Sequence, residues 1–173
     1  MTNEGKENLE GMKMQTAKDT FYAALRDRMA AQFPGRTAAI RGLVRPAVMV
    51  EENELVTGDS PLETFVLRWT GRSVEGSSDV EMLTCEIRYA TEGSQELAGV
   101  DRGRRLSELD AELTQVLEPR VTAEKNFAIS PPEVTGANVF WSEPAFEDSA
   151  TDADRLERVV KVSVMSSSAA VEE

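Results

Sequence analysis

The chain has 173 residues, 40 % of them apolar and 29 % charged, which suits one domain with a real core and an ordinary globular surface. Its formal net charge of −12 sets the average surface against a nucleic-acid duplex or an anionic membrane, since both are repelled by it. With no histidine and a single cysteine, Cys85, there can be no Ser–His or Cys–His nucleophile pair, no imidazole base, no histidine zinc ligand and no internal disulfide.

The opening Met1-Thr2-Asn3-Glu4-Gly5-Lys6 lacks the basic start and apolar run of a signal peptide. No stretch approaches the ~20 apolar residues of a membrane span. The expectation is a cytoplasmic protein in a reducing environment. Residues 1–13 are polar and aperiodic and read as a mobile tail; 166–173 have the same character. That leaves 14–165 as a single domain.

The first periodic element covers 17–33. Phe21, Leu25 and Met29 fall at i, i+4 and i+8, with Tyr22 and Phe33 beside the stripe. Thr16 followed by Asp19 resembles a capping pair, and Pro34-Gly35 stops the helix. Its narrow apolar stripe suits packing on a sheet better than a membrane.

Strands follow. Arg45-Pro46 leads into Ala47-Val48-Met49-Val50, with the proline at a strand's first residue. Phe65, Leu67 and Trp69 alternate with Thr64, Val66, Arg68 and Thr70 in a half-buried strand. In the next strand, 80–89, Leu83, Cys85, Ile87 and Tyr89 share a face, while Val80 and Met82 sit on the other parity. A bulge near Met82, or partial cover on both faces, accounts for that switch. The Gly- and Ser-containing residues 71–78 predict a loose hairpin loop between these two strands.

A second helix is predicted over 102–117. Leu106, Leu109, Leu113, Val116 and Leu117 follow the 3.6-residue period, and Pro119 ends it. Residues 120–138, with Pro131-Pro132 and Gly136, read as an irregular segment, and loops of that length are usually functional. Val139-Phe140-Trp141 begins a strand running toward Phe146, and acidic residues 147–154 make a turn. The closing strand, 156–165, puts Leu156, Val160, Val162 and Val164 on one face. The predicted order α-β-β-β-α-β-β gives an α+β fold, with a mostly antiparallel sheet and two helices packed on it.

Few residues invite chemistry. Cys85 lies mid-strand and reads as an inert core thiol. Arg102, Arg104 and Arg105 form the one tight basic cluster, and at a helix N-terminus they oppose the macrodipole. Solvated surface, an acidic neighbouring subunit and a DNA phosphate all remain open for them. Glu51, Glu52 and Glu54, and Glu143, Glu147, Asp148, Asp152 and Asp154, lack calcium-loop order and read as charged turns, so no metal is expected. No phosphate-binding or dinucleotide-binding glycine motif occurs, so no cofactor is expected. Trp69, Tyr89, Phe140 and Trp141 lack interleaved basic residues and read as packing groups.

Four stretches together carry a resemblance. They are the opening helix ending in Phe33-Pro34-Gly35, the strand entered through Arg45-Pro46-Ala47-Val48-Met49-Val50, the run Cys85-Glu86-Ile87-Arg88-Tyr89 leading through Gly99-Val100-Asp101-Arg102-Gly103 into the second helix, and the closing strand 158–165. Across residues 17–165 this layout resembles the tail-terminator (tail completion) proteins of tailed phages and phage-derived particles. The resemblance implies a ring, usually a hexamer, that caps the tail tube, ends its polymerisation and joins it to the neck. Its partners would be other copies of itself, the tail tube protein and a neck or connector protein, with DNA passing through an acidic lumen without specific binding. Such work needs complementary faces and no catalytic residue. Residues 71–78 and 120–138 would be the arms reaching neighbours, with Arg102, Arg104, Arg105, Pro131 and Pro132 as candidate contact residues. A head–tail connector or neck protein is one alternative, and a small ligand-binding or carboxylate-dependent enzyme domain is another.

Overall fold

The computed structural model describes residues 3–54, 61–74 and 80–168. Helix α1 (Asn3–Gln32) opens the chain. It begins well before the apolar stripe, so residues 3–13 are helical and not the aperiodic tail expected from their polarity; glutamates, lysines and methionines there are good helix formers. Thr16 is consequently mid-helix and caps nothing. Its hydroxyl lies 2.6 Å from the carbonyl of Lys13, while Asp19 accepts a hydrogen bond from Gln15.

A short hairpin that hydrophobic period did not reveal comes next, β1 (Thr37–Ile40) and β2 (Leu43–Pro46). Its turn, Arg41-Gly42, takes left-handed backbone at both residues, as a tight two-residue connection demands. Pro46 therefore ends β2 instead of starting the following strand, β3 (Val48–Val50). A single helical turn, α2 (Glu51–Glu54), precedes the paired strands β4 (Phe65–Val74) and β5 (Val80–Thr91). Four of the eight residues expected in a loose loop, 71–74, are thus strand; the other four, 75–78, lie outside the described residues.

Helix α3 (Arg102–Val116) leads to β6 (Thr122–Asn126) and β7 (Glu133–Trp141). These two strands pair antiparallel and occupy most of the segment expected to be irregular. β6 and the first six residues of β7 carry no two-residue apolar period that would mark them; only the end of β7, 139–141, was expected as strand. Two short strands, β8 (Ala145–Phe146) and β9 (Ala150–Asp152), come before the long closing strand β10 (Arg155–Ser168). The acidic segment 147–154 thus contains a strand as well as a turn. Residues 166–168 extend β10, whereas 169–173 lie outside the described residues.

The fold is α+β. The main sheet runs β3-β4-β5-β10-β7-β6, with β8 and β9 also paired to β10, and only the β3–β4 pair is parallel. Helices α1 and α3 cover one face. Phe21, Leu25 and Met29 meet Leu106, Leu109, Leu113 and Leu117 over Phe65, Leu67, Cys85, Ile87, Val160 and Val162, all buried in one core. Trp141 locks this layer: its ring stands edge-on to Phe21, and its indole N–H donates to the Leu117 carbonyl at 2.9 Å. The opposite face is covered at one end by the β1–β2 hairpin, where Ile40 and Ala38 pack on Met49 and Val66.

The register shift lies on β4, between Trp69 and Gly71, and not at Met82. Gly71 sits where a Cβ would stand 3.3 Å from the Thr84 hydroxyl, a close approach that glycine permits. Met82 instead pairs with Met165, which pairs with Phe140, in a half-buried row on the outer face. Partial cover on both faces is thus the alternative that fits β5.

Candidate functional site

The three arginines expected as a contact cluster have different fates. Arg102 turns onto its own loop, donating to the carbonyls of Gly99 at 2.9 Å and Asp154 at 2.8 Å. That loop closes on itself at Gly93, which has φ of +76° and where a Cβ would meet the Gly99 Cα at 2.9 Å. Arg105 turns to Glu63 and Glu108. Arg104 is exposed and, among the described residues, has neither a hydrogen-bonded nor an ion-paired acceptor. Pro131 and Pro132 are exposed in the turn joining β6 to β7, after a cis Ser130–Pro131 bond.

Arg105 belongs to an internal network that sequence spacing did not announce. Glu63, just ahead of β4, accepts two bonds from Arg105 at 3.2 and 2.7 Å, one from Arg36 at 2.9 Å and one from the Thr91 hydroxyl at 2.9 Å. Arg36 in turn forks onto Glu112 of α3 at 2.7 and 2.8 Å. Burial by itself would raise the Glu63 carboxyl. The bonds from Arg105 and Thr91, with the charges of Arg105 and Arg36, outweigh burial and hold it below the ordinary carboxylate range. The network ties the segment after α1, the start of β4, the end of β5 and α3 together. Its role is structural.

A second carboxylate is in a different situation. Glu124 of β6 is only 2 % exposed. Three hydroxyls from three elements approach it: Thr16 of α1 at 2.7 Å, Thr135 of β7 at 3.2 Å and Ser166 of β10 at 2.6 Å. None of the ion pairs among the described residues includes it. Beside it opens a groove of about 500 Å³, walled by Met12, Lys13, Glu81, Asn126 and Ala137 among others. Nothing in the sequence separated Glu124 from the chain's other acids. Only the pairing of β6 with β7, and the packing of α1 on them, brings these hydroxyls to it.

The remaining candidates are placed plainly. Cys85 is buried, and burial pushes its thiol well up, away from the reactive thiolate. Tyr89 is raised by burial and then by Asp110, to which its hydroxyl donates; Arg158 holds the other side of Asp110 at 2.9 Å. Trp69, Tyr89 and Trp141 all pack in or against the main core. Of the acids, Glu54 pairs with Arg45, Glu52 with Lys18 at 3.5 Å and Glu147 with Lys161 at 2.6 Å. No helix among the described residues is long and apolar enough to cross a membrane. No protein-family model matches the chain, and no curated protein matches it at a significant level.

Proposed function

We propose that the chain is a structural assembly subunit, working without bond-making chemistry, that forms a ring capping a phage or phage-like tail tube. The ring ends tube polymerisation and joins the tube to the neck. The subunit is made in the host cytoplasm and becomes part of the particle's tail. The observation that carries this reading is a pair of hairpins at opposite ends of one sheet, each presenting large apolar side chains to solvent. At the β3–β4 end, the β1–β2 hairpin exposes Leu43 at 69 % and Val44 at 77 %. At the β6 edge, Val134 at 61 %, Ile129 and Phe127 are exposed along the β6–β7 hairpin. A subunit with sticky arms on two opposite sides is suited to touching one neighbour on each side, which is the geometry of a ring. The arm at 120–138 expected from sequence becomes, on this reading, an ordered hairpin whose turn reaches outward.

The test is negative-stain microscopy of the purified chain, alone and with tail tube protein. Rings with a central hole, docked on tube ends, are expected. Replacing residues 127–132 by a short turn should reduce ring yield while leaving the β6 and β7 strands, and hence the monomer, folded. A chain that stays monomeric at every concentration, with and without tube protein, would remove this function.

A small-ligand-binding domain is the second reading, and the groove at Glu124 is what favours it. Saturable binding of a small cation to a permanently monomeric chain would select it over the ring.

A further inference from the structure

Resting on the ring reading, the geometry points to a head-to-tail contact in which the β1–β2 hairpin of one copy docks on the β8–β9 edge of the next. The hairpin stands apart in charge. In a chain of net charge −12, residues 34–50 contain three arginines and no acid. Arg36 is held by Glu63 and Glu112, and Arg45 by Glu54, so these two anchor the hairpin to the body. Ile40 and Ala38 pack on Met49 and Val66. An element fixed in this way needs little further ordering when a partner covers it. The tip is different. Arg41 donates to the Glu54 carbonyl at 3.3 Å and pairs with no carboxylate among the described residues. Its φ is +51°, at a turn position that Asn, Asp or Gly fills with less strain. An arginine there does not serve the turn. It puts a guanidinium at the same tip as Leu43 and Val44, which are 69 % and 77 % exposed.

The acceptor lies at the other end of one row of the sheet. That row runs from Val50 through Leu67, Ile87 and Val160 to Phe146. Neighbouring strands stand about 4.8 Å apart, so Phe146 is roughly 19 Å from the β3 edge and on the opposite side of the sheet. The β6–β7 turn is off this row, because β7 pairs with the 164–168 end of β10. Residues 143–154 carry five acids and no base. Among the described residues only Glu147 of these is ion-paired, to Lys161. Acids on a short edge strand ordinarily keep two sheets apart. Here they flank Phe146, an aromatic side chain left 39 % exposed.

Edge-to-edge neighbours in a ring set one end of a row against the other end of the next copy's row. That brings Leu43 and Val44 toward Phe146, and Arg41 toward Asp148 and Asp152. Exposed apolar surface is covered and opposite charges meet. Two acidic edges set against each other repel, which favours the head-to-tail arrangement over a two-fold dimer through that edge.

The experiment uses the full chain and reads assembly by sedimentation velocity, with circular dichroism and urea denaturation as checks on the monomer. Arg41→Asp reverses the charge with a residue suited to the left-handed turn. It should weaken assembly about tenfold without lowering monomer stability. Asp148→Lys with Asp152→Lys should weaken assembly to a similar extent. All three substitutions in one chain reverse both sides of the contact and should restore assembly. Leu43→Ser with Val44→Ser should weaken it about a hundredfold, since two large apolar side chains lose their cover. If wild-type rings form and these variants assemble normally, this contact is wrong while the ring stands. If the hairpin variants fail and the triple variant does not recover, the acceptor is wrong and the proposal falls. Assembly that stops at a dimer overturns the head-to-tail geometry. A wild-type chain that never assembles overturns the ring and the contact together.

Discussion

Glu63 and Glu124 are both acids drawn into the protein, yet the chain treats them in opposite ways. Glu63 keeps its side chain 23 % exposed and still receives two arginines and a threonine. Glu124 is almost fully covered and receives only hydroxyls. The first site is electrostatically closed and holds four segments of the fold in place. The second is held by neutral hydroxyls from three elements, beside an open groove. Burial alone therefore does not decide how an acid is held: one is tied in by opposite charge, the other by neutral donors gathered from separate elements.

The comparison is sharpened by removing charge at each site. Glu63→Gln should lower unfolding stability by about 1–2 kcal/mol, because Arg36 and Arg105 lose the carboxylate they share, while each keeps a second one in Glu112 and Glu108; urea denaturation measures it. The same pair of proteins gives a pH test. The Glu63 carboxyl is held below its ordinary value of 4.5 in the folded state, so its contribution is fully present above that value and lost as pH falls through the lower folded value. The gap in stability between wild type and Glu63→Gln should therefore be constant near neutrality and close on acidification. A gap that widens in acid would contradict the network described for Glu63.

Ser166→Ala removes one neutral donor from Glu124 and should cost about 1 kcal/mol in the same denaturation assay. Smallest of all is Glu124→Gln in the monomer, expected at a few tenths to about 1 kcal/mol, because the amide oxygen still accepts on one side, its NH2 can donate to a hydroxyl oxygen on the other, and no ion pair is broken. The contrast breaks if Glu124→Gln costs as much as Glu63→Gln. That outcome would mean the hydroxyls around Glu124 depend on its carboxylate as much as the arginines depend on that of Glu63.

Much of the helix–sheet core was legible from side-chain period. The stripe of Phe21, Leu25 and Met29, the α3 leucines, and the Leu83–Cys85–Ile87–Tyr89 face of β5 all pack where their spacing predicts. These segments bury one continuous face, and burial imposes a period on the sequence. The β1–β2 and β6–β7 hairpins escaped for the converse reason. Apart from Ile40 and the end of β7 at Val139 and Trp141, which was legible, they bury few apolar side chains, so their strands carry exposed valines, threonines and charges without alternation. Thr16 misled because a threonine followed by an acid is the same local signal whether it starts a helix or sits within one. Among the arginines, spacing revealed a cluster but could not tell which members turn inward, since Arg105 meets Glu63 from 42 residues away.

By itself the sequence determined the α+β class, the two principal amphipathic helices, the apolar faces of the long strands and the absence of histidine chemistry, because each of these is a property of residue type or local period. Tertiary structure alone decided which carboxylates are neutralised, where the arms project, and that Thr16, Glu124, Thr135 and Ser166 share one site. Those residues span four separate elements of the chain, and a hydrogen bond or an ion pair depends on distance in space, which no local pattern encodes.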